Sequence, residues 1–396
     1  MQNPISSLYD ISLKEKRMIL GLMSGTSLDG LDLALCEVTG YGFHSKLKLL
    51  KFHSQPYDPV YSQMIKEVFA KRTIDLQRLT GLNAWVANYH AGIINDTLRS
   101  WGISRGSIDL IASHGQTVYH APQRLTQDYD MPNASLQIGD GDHIAQKTGI
   151  ITISDFRQKH LAAKGEGAPL VTYGDCLLFR DDKRDRVLLN IGGISNFTYL
   201  PRINSSSDEV VFGSDLGPGN TLLNQYMQKV YGLPMDEGAQ LASQGKVLED
   251  LLSELLRVPF LQEPFPKTTG PELFSISLLD SYLKKVKSVN HHDVLATLSA
   301  FTAQSIRNGL EEVIADPDHC DLYVSGGGVH NPLIMTLLSE RWCVSVRPID
   351  DLGISADAKE ACLFAVLANE LFAPQVTKYQ ILDSPSVRMG KISLPY

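Results

Sequence analysis

The sequence predicts a mixed α/β protein built from two similar lobes. Short apolar runs typical of strands alternate with segments of helical spacing, and each half of the chain begins with three strands. The pattern Asp-Leu-x-x-Ser-x-Gly occurs in both halves, at residues 109–115 and 321–327. Because this repeating unit is far too long for a solenoid, we expect two α/β lobes in tandem, with a central cleft between the carboxyl ends of their strands.

The first half begins with a hairpin. An apolar run from Met18 meets a polar turn, and Leu31, Leu33 and Leu35 then alternate with other residues, which is typical of a strand. A third strand is predicted at 47–52. Apolar residues at helical spacing over 60–68 and 76–93 predict two helices, the second ended by Gly102. Further strands are predicted at 109–117, ending in a polar tip, and at 149–155.

The second half repeats this order. The predicted elements are strands at 187–191, 195–200, 210–214, 321–329 and 344–349, and helices at 222–230, 295–313 and 355–372. The charged stretch 180–186 is expected to link the lobes, and 201–209 to form a loop. The predicted N-terminal lobe is 1–182 plus about 374–396, and the C-terminal lobe is 183–373.

Composition argues against several classes of partner. The chain has 396 residues, is 43% hydrophobic and carries a net charge of −8, which does not favour nucleic acid or an anionic membrane as its main partner. No apolar run reaches membrane-spanning length. The five cysteines are scattered and form no C-x-x-C pair, so a reducing compartment, the cytoplasm, is expected.

Two predicted hairpin tips have the residues of an anion site. Residues 25–30 read Gly-Thr-Ser-Leu-Asp-Gly, and a second tip contains Gly192 and Gly193. Successive backbone amides can surround phosphate oxygens, and glycine lets the backbone come close to them. The same residue types also serve any tight hairpin, so an ordinary turn is the alternative reading. The recurrence of the tip in both halves favours the phosphate interpretation.

Asp215 is the candidate general base. It is expected at the end of the third strand of the second lobe, just before Gly217-Pro218-Gly219 and a helix. A carboxylate placed there can orient a nucleophile and accept its proton. The alternative is an ordinary turn or capping aspartate.

A run of three glycines follows a buried strand at Ser325. Gly326, Gly327 and Gly328 precede Asn331-Pro332, a plausible helix start. Such a run lets the backbone lie against a phosphate or a planar group, although a flexible loop would have the same composition.

Several polar residues of the first half are candidate substrate contacts. Arg157 can bind a carboxylate through two hydrogen bonds, or instead pair with Asp155. Ser113, His114 and Gln116 lie at the predicted polar tip, where a histidine often only satisfies backbone groups. Glu360 lies near the start of the last helix, where a negative charge is favourable in any protein.

Taken in order, these segments resemble the anhydro-N-acetylmuramic acid kinase family from Gly21 to about Glu370. The motifs that carry the resemblance are Gly21-Leu22-Met23-Ser24-Gly25-Thr26-Ser27-Leu28-Asp29-Gly30, Ser113-His114-Gly115-Gln116-Thr117, Asp155-Phe156-Arg157, Gly167-Ala168-Pro169-Leu170, Asn190-Ile191-Gly192-Gly193, Asp215 to Asn220, and Gly326-Gly327-Gly328.

The resemblance implies two ribonuclease H-like lobes of the actin-like ATPase type, a homodimer, and a bacterial role in cell-wall recycling. It implies a kinase that uses ATP and Mg²⁺ to open a 1,6-anhydro sugar with water and to phosphorylate the freed O6. Asp215 would be the base for the water. Ser113, His114, Gln116, Arg157 and Glu360 would contact the sugar. The implied ATP-binding residues are Gly25, Thr26, Ser27, Leu28, Asp29, Gly30, Leu31, Asp32, Gly192, Gly193, Gly217, Gly326, Gly327 and Gly328.

The chain departs from the family pattern after Arg157. Many members have Asp, Gly and Gln where this chain has His160, Lys164 and Glu166. These positions lie in the predicted sugar site, so the sugar is less certain from sequence than the phosphoryl transfer. A kinase of another 1,6-anhydro sugar, such as levoglucosan, shares the motifs, and a nucleotide-driven binding ATPase is an alternative from another class.

Overall fold

The computed structural model describes residues 3–203, 210–284, 289–340 and 344–396. Most of the loop predicted at 201–209 lies outside these ranges, as does Cys343. The chain divides into two compact units. Unit 1 comprises Met1–Phe179 and Gly353–Tyr396, and unit 2 comprises Arg180–Leu352.

The strands are numbered along the chain. They are β1 Lys16–Ser24, β2 Gly30–Thr39, β3 Lys46–Pro56, β4 Leu110–Ala121, β5 Ala134–Ile138, β6 Thr152–Ser154, β7 Asp185–Ile191, β8 Ile194–Leu200, β9 Phe212–Pro218, β10 Cys320–Ser325, β11 Ser345–Pro348 and β12 Lys391–Ser393.

The α-helices are numbered in the same way. They are α1 Pro4–Leu13, α2 Pro59–Lys66, α3 Leu76–Ser100, α4 Gln123–Thr126, α5 Gly141–Thr148, α6 Arg157–Ala162, α7 Val171–Phe179, α8 Thr221–Tyr231, α9 Glu249–Leu255, α10 Ile276–Leu283, α11 His291–Val313, α12 Pro332–Ser339 and α13 Lys359–Asn369. None of the helices in the described part of the chain is long and apolar enough to span a membrane.

The two units have the same sheet topology. In unit 1 the described strands run in the order β12-β6-β4-β1-β2-β3, and β5 pairs with β4. In unit 2 the order is β11-β10-β7-β8-β9. Each sheet contains three antiparallel strands followed by two that are parallel to the first of them. This order is ribonuclease H-like and confirms the prediction of two similar α/β lobes.

Local capping explains where several helices begin and end. The side chains of Asp58, Asp75 and Asn331 accept hydrogen bonds from backbone amides in the first turns of α2, α3 and α12. Gly102 has a φ of +67° and follows α3, as the sequence predicted. The long helices α3 and α11 match the predicted segments and extend them.

The unit boundaries differ from the prediction, because helix α13 belongs to unit 1. A Cβ at Gly21 of β1 would lie 1.9 Å from the carbonyl oxygen of Ala361, so the helix packs directly on the strand. The Sγ atoms of Cys36 and Cys362 lie 3.7 Å apart across the same interface. The chain therefore returns to unit 1 at Gly353 rather than at about 374. The first boundary falls between Phe179 and Arg180 instead of after 182.

The predicted polar tip after the strand at 109–117 is wrong. Strand β4 continues through this segment to Ala121, because β5, which the sequence did not predict, pairs with its second half. Gly115 has a φ of +75°, and the pairing of β4 with β1 shifts register beside it. The backbone bulges there without ending the strand. His114 and Gln116 consequently lie inside the protein rather than on a loop.

Candidate functional site

The turn between β1 and β2 exposes the polar residues that the sequence assigns to phosphate binding. Thr26, Ser27 and Asp29 are exposed, whereas Leu28 is buried with a φ of +59°. Leu28 packs into the apolar cluster beside α2 and α3, which keeps the turn in one conformation. The Oδ1 atom of Asp29 accepts hydrogen bonds from the Ser27 hydroxyl and the Gly30 amide, both at 2.9 Å.

A buried hydrogen-bond network lies beneath this turn. Gln116 accepts a 2.7 Å hydrogen bond from the Ser24 hydroxyl and donates a 3.2 Å bond to the carbonyl oxygen of Gly25. The hydroxyl of Tyr57 lies 2.7 Å from the Ser24 hydroxyl and 2.9 Å from Nε2 of His90. The network ties the turn to α3 and β4. The sequence analysis missed Tyr57, which lies between β3 and α2, and His90, which lies within α3, since nothing local indicated that the two share a network.

The two glycines of the turn, Gly25 and Gly30, differ in how closely neighbouring atoms surround them. A Cβ at Gly30 would lie 2.6 Å from the carbonyl oxygen of Gln55, so Gly30 is required by the packing of β3. At Gly25 the nearest atom would be the Ser27 hydroxyl oxygen at 3.4 Å. That is an ordinary van der Waals distance, so neighbouring atoms do not require a glycine at this position, and its lack of a side chain leaves the backbone open to a ligand.

Acidic side chains next to the turn fit a divalent cation. Burial raises the pKa of Asp32, and the negative charges of Asp29 and Asp357 add to the increase. A cation would relieve this repulsion. Mg²⁺ in kinases is held by one or two carboxylates together with phosphate oxygens, so this donor set fits Mg²⁺ brought in with a nucleotide. Leu31, in contrast, is 1% exposed and belongs to the core.

Three polar residues of β4 are buried in the interior of unit 1. Ser113, His114 and Gln116 are 1%, 3% and 0% exposed. The side chain of Gln116 already makes the bonds described above. Burial and, to a smaller extent, the positive charge of Arg157 lower the pKa of His114 to about 3. His114 is therefore neutral at physiological pH, and the sugar contacts assigned to these three residues remain predictions.

Arg157 is held at two points at the start of α6. Its Nη2 atom lies 3.0 Å from Nε2 of His114, and its Nη1 atom donates a 3.3 Å bond to the carbonyl oxygen of Gly167. The alternative ion pair with Asp155 is wrong, because the carboxylate of Asp155 pairs with Lys391. Burial lowers the pKa of Arg157 to about 10, and the nearby Glu360 carboxylate opposes this change. The guanidinium remains charged at neutral pH and available to an anionic substrate group.

Glu360 is the second residue of α13, as expected from the sequence. Its side chain is exposed, yet the protein around the carboxylate removes enough water to raise its pKa. Lys359 opposes this increase, Asp32 and Asp175 add to it, and Arg157 opposes it. The charges of Glu360 and Arg157 thus influence each other's pKa within unit 1, but the structure shows no ion pair between the two side chains among its described residues.

Unit 1 contains a cavity of about 600 Å³. Of the five predicted sugar contacts, His114 lines this cavity and the other four do not. This volume is within the range of small-molecule sites. Its lining combines apolar side chains with hydrogen-bonding groups, as a sugar requires. The lining includes Leu79, Asn83, His114, Gly115, Leu136, Gln137, Ile138, Asp140, Asp142, Ser154, Asp155, Lys391 and Ser393.

In unit 2, the turn formed by Gly192 and Gly193 packs on the start of helix α8. The carbonyl oxygen of Gly192 accepts a 2.8 Å bond from the Asn220 amide, and that of Gly193 accepts bonds from Gly219 and Thr221 at 2.9 and 3.1 Å. A Cβ at Gly219 would lie 2.2 Å from the Gly192 carbonyl oxygen. The turn carbonyls therefore satisfy the first amides of α8, and glycine is required because the two backbones touch.

The glycine run after β10 meets the same turn. Gly326 has a φ of +85°, and its Cβ would lie 2.5 Å from the Asn190 side-chain oxygen. A Cβ at Gly328 would lie 2.2 Å from Cγ2 of Ile191, whereas the nearest atom at Gly327 is Nδ2 of Asn220 at 3.8 Å. The predicted ATP-binding glycines of unit 2 therefore converge, except Gly217. Gly217 is buried within β9, near Leu261 and Ser305.

Asp215 lies in the middle of strand β9, so its predicted position at the end of a strand is wrong. Residues 267–269 run beside the strand and prolong its backbone pairing: the Asp215 amide donates a 3.0 Å bond to the Lys267 carbonyl oxygen. The Thr269 amide donates a 2.9 Å bond to Oδ2 of Asp215. Helix α8 begins only at Thr221, with Asn220 as its N-cap, so Asp215 does not cap it.

The environment of Asp215 suits a base. The residue is half-buried, and burial raises its pKa, while the Thr269 hydrogen bond opposes the increase. Among the described residues, Oδ1 has no hydrogen-bond partner. One oxygen is thus fixed and the other is available to accept a proton. Thr269 was missed in the sequence, although the run Lys267-Thr268-Thr269-Gly270 has the composition of a binding loop.

Known proteins with similar sequences share one family description. A sequence model described as "Anhydro-N-acetylmuramic acid kinase" matches residues 17–375. The chain is 47% identical to the anhydro-N-acetylmuramic acid kinase of Pseudoalteromonas atlantica over 100% of both chains. It is 38% identical to that of Caldanaerobacter subterraneus, over 98% of this chain and 99% of the relative. Among solved structures, it is similar to the activator of 2-hydroxyisocaproyl-CoA dehydratase from Clostridium difficile with bound ADPNP. That match has 11% identity and a TM-score of 0.40, covering 90% of this chain and 95% of the other.

Proposed function

Because the chain belongs to the anhydro-N-acetylmuramic acid kinase family, we propose that it converts 1,6-anhydro-N-acetylmuramic acid, water and ATP to N-acetylmuramic acid 6-phosphate and ADP in cell-wall recycling. A water oxygen bonds to C1 of the sugar, and the bond between C1 and O6 breaks. The freed O6 then takes the γ-phosphoryl group of ATP. The chain is accordingly a kinase, and the proton lost by the water has to be accepted by a protein group.

The proposal assigns that proton to Asp215, and the environment of this carboxylate is the observation that carries the proposal. Its Oδ2 atom is held by the Thr269 amide, and its Oδ1 atom has no partner among the described residues. A carboxylate with a raised pKa is a stronger base than an ordinary aspartate. Fixing one oxygen orients the other toward the water without using its lone pairs.

ATP is assigned to the turn at residues 25–30 and to the converging glycines of unit 2. The exposed Thr26 and Ser27, next to a glycine with no side chain at position 25, suit close contact with phosphate oxygens. Asp32, together with Asp29, would hold Mg²⁺. Mg²⁺ would supply neutralisation of the charge that develops on the transferred phosphoryl group.

The sugar is assigned to unit 1. Arg157 is proposed to bind the carboxylate of the lactyl group, since a guanidinium fixed by His114 and Gly167 presents a defined pair of donors. Glu360 is proposed to accept a hydrogen bond from a sugar hydroxyl. His114, which contacts Arg157, also lines a cavity of about 600 Å³, a volume within the range of small-molecule sites.

A cytoplasmic homodimer is also proposed. The net charge of −8 supports a small-molecule substrate rather than nucleic acid or an anionic membrane surface. The absence of a C-x-x-C pair from the sequence supports a reducing compartment. The homodimer follows from the family resemblance alone, and analytical ultracentrifugation of the full chain would test it.

The test is a coupled assay of ADP release with 1,6-anhydro-N-acetylmuramic acid, followed by mass spectrometry of the product. We expect sugar-dependent ADP release and a product whose mass has increased by one water and one phosphoryl group. Levoglucosan, which lacks the lactyl carboxylate, is the matched control and should be a poor substrate. ADP release that ignores both sugars would contradict the proposal and favour a nucleotide-driven binding module. Equal use of the two sugars would contradict the role of Arg157.

A further inference from the structure

The interior of unit 1 contains a chain of hydrogen bonds that starts at Pro385 and ends at Arg157. The Tyr173 hydroxyl donates a 2.7 Å bond to the carbonyl oxygen of Pro385. The same hydroxyl oxygen lies 2.9 Å from Nε2 of His160. The Nδ1 atom of His160 accepts a 2.8 Å bond from the Gly167 amide. The carbonyl oxygen of Gly167 in turn accepts the 3.3 Å bond from Arg157.

This chain fixes the protonation state of His160. A tyrosine hydroxyl has one hydrogen, and Tyr173 gives it to Pro385, so Nε2 of His160 must be the donor toward Tyr173. The Nδ1 atom is then the unprotonated nitrogen and accepts from Gly167. Burial and the positive charge of Arg157 lower the pKa of His160 to about 4, which agrees with a neutral ring.

Residues 165–167 pack around the ring of His160. His160 is 1% exposed, and a Cβ at Gly165 would lie 2.2 Å from its Cε1 atom. Gly167 has a φ of +80°, a conformation that its lack of a side chain allows. The ring therefore holds the amide of Gly167, and the carbonyl group of the same residue, on the other side of its Cα, accepts the bond from Arg157.

We propose that His160 is a positioning residue for substrate binding: through the backbone amide and carbonyl groups of Gly167 it holds the Arg157 guanidinium in the orientation that binds a carboxylate-bearing anhydro sugar. The inference rests on the function proposed above. Two hydrogen bonds link His160 to Arg157 by way of Gly167, and no contact with the sugar itself is assigned to His160. Its replacement should therefore weaken sugar binding more than it slows the reaction.

Two variants distinguish positioning from space filling. His160→Asn keeps an oxygen acceptor near the place of Nδ1 but leaves a void, and His160→Leu is closer in volume but has no acceptor. If His160 positions Arg157, His160→Leu raises the KM for anhydro-N-acetylmuramic acid by about tenfold or more, since small displacements of a binding group are costly. His160→Asn should remain within about threefold of the wild type, because the acceptor that holds Gly167 is kept.

The controls separate this inference from the proposed function. In both variants, the KM for ATP and kcat should change by less than about threefold, because Arg157 acts on sugar binding. Tyr173→Phe, which keeps the volume and removes the acceptor of His160 Nε2–H, should raise the sugar KM to a smaller extent than His160→Leu. If His160→Leu fails to fold, Tyr173→Phe decides: an unchanged sugar KM overturns the inference.

The remaining outcomes each decide one question. A wild-type chain that releases no ADP with the sugar overturns the proposed function, and the inference falls with it. Wild-type turnover combined with His160→Asn as impaired as His160→Leu, or more so, overturns the inference alone. Loss of kcat at an unchanged sugar KM also overturns it, since that result would place His160 in the chemical step or in general stability.

Discussion

Unit 1 and unit 2 share a sheet topology but support their candidate functional residues in different ways. In unit 1 the support comes from buried polar side chains, such as Gln116, His90 and His160. In unit 2 it comes from backbone contacts between glycines, such as Gly192 with Gly219. One half of the molecule thus depends on hydrogen-bond partners that must be satisfied, and the other on the absence of Cβ atoms.

The repeated Asp-Leu-x-x-Ser-x-Gly pattern shows how far the two units diverge. In both units the aspartate lies at the start of the strand, Asp109 just before β4 and Asp321 as the second residue of β10. Each pairs with a basic residue, Asp109 with Lys14 and Asp321 with Arg184. In unit 1 the strand then continues to Ala121, because β5 pairs with it. In unit 2 the strand stops at Ser325, and helix α12 follows Asn331. The same short sequence therefore forms the interior of a strand in one unit and the end of a strand followed by a turn in the other.

The largest expected effect tests the catalytic assignment in unit 2. Asp215→Asn keeps an oxygen that can accept from Thr269 but removes the base, so turnover should fall by about 10²–10⁴-fold or more while ATP and sugar binding are nearly unchanged. The measurement is kcat from ADP release, with binding followed by calorimetry. Asp280→Asn is the matched control, since Asp280 pairs with Lys229 on the exposed side of α10. Turnover of Asp215→Asn within a few-fold of the wild type would remove Asp215 from this role.

The next effect tests the dependence of unit 1 on neutral histidines. Burial lowers the pKa of His90 and His114 to about 3 and that of His160 to about 4. Unfolded histidine titrates near pH 6.5, so between about pH 6.5 and 4 the unfolded chain binds more protons than the folded one. The free energy of unfolding should therefore decrease as pH falls through this window, by up to about 1.4 kcal/mol per pH unit for each histidine.

Unit 2 provides the internal control for that measurement, because it buries no histidine among its described residues. Hydrogen exchange at pH 7, 6 and 5, corrected for intrinsic rates, should show protection lost in unit 1 peptides before unit 2 peptides. His160→Asn should reduce the slope in unit 1 by the share of one histidine. Equal loss of protection in both units would contradict the assignment of buried neutral histidines.

The smallest expected effect tests the glycine packing of unit 2. Gly328→Ala places a methyl group 2.2 Å from Cγ2 of the buried Ile191, so it should destabilise unit 2 by about 1–3 kcal/mol through overpacking. Gly327→Ala is the matched control, since its nearest neighbour would be 3.8 Å away. Thermal unfolding of both variants provides the comparison. Equal melting temperatures of the two variants would show that close packing does not require a glycine at position 328.

The sequence predicted much of the candidate site because its motifs are local. The hairpin turn at residues 25–30 and the glycines 192–193 and 326–328 occur where the turns of the structure are, since glycine and small polar residues have strong local preferences. The prediction failed where a distant segment changed the local outcome. Residues 113–117 look like a turn but continue a strand, because β5 supplies a partner. Asp215 looks like a strand end but lies within a strand that residues 267–269 extend.

By itself, the sequence determined the presence of two α/β units, the order of the three antiparallel and two parallel strands that they share, and the family of the protein, because periodicity and ordered motifs are properties of the chain alone. Only the tertiary structure decided which unit contains α13 and why Gly21 must lack a side chain. It also decided that His160 holds Gly167 and that Thr269 holds Asp215. The physical reason is that hydrogen bonds and close packing join residues far apart in the chain, and no local preference specifies such partners.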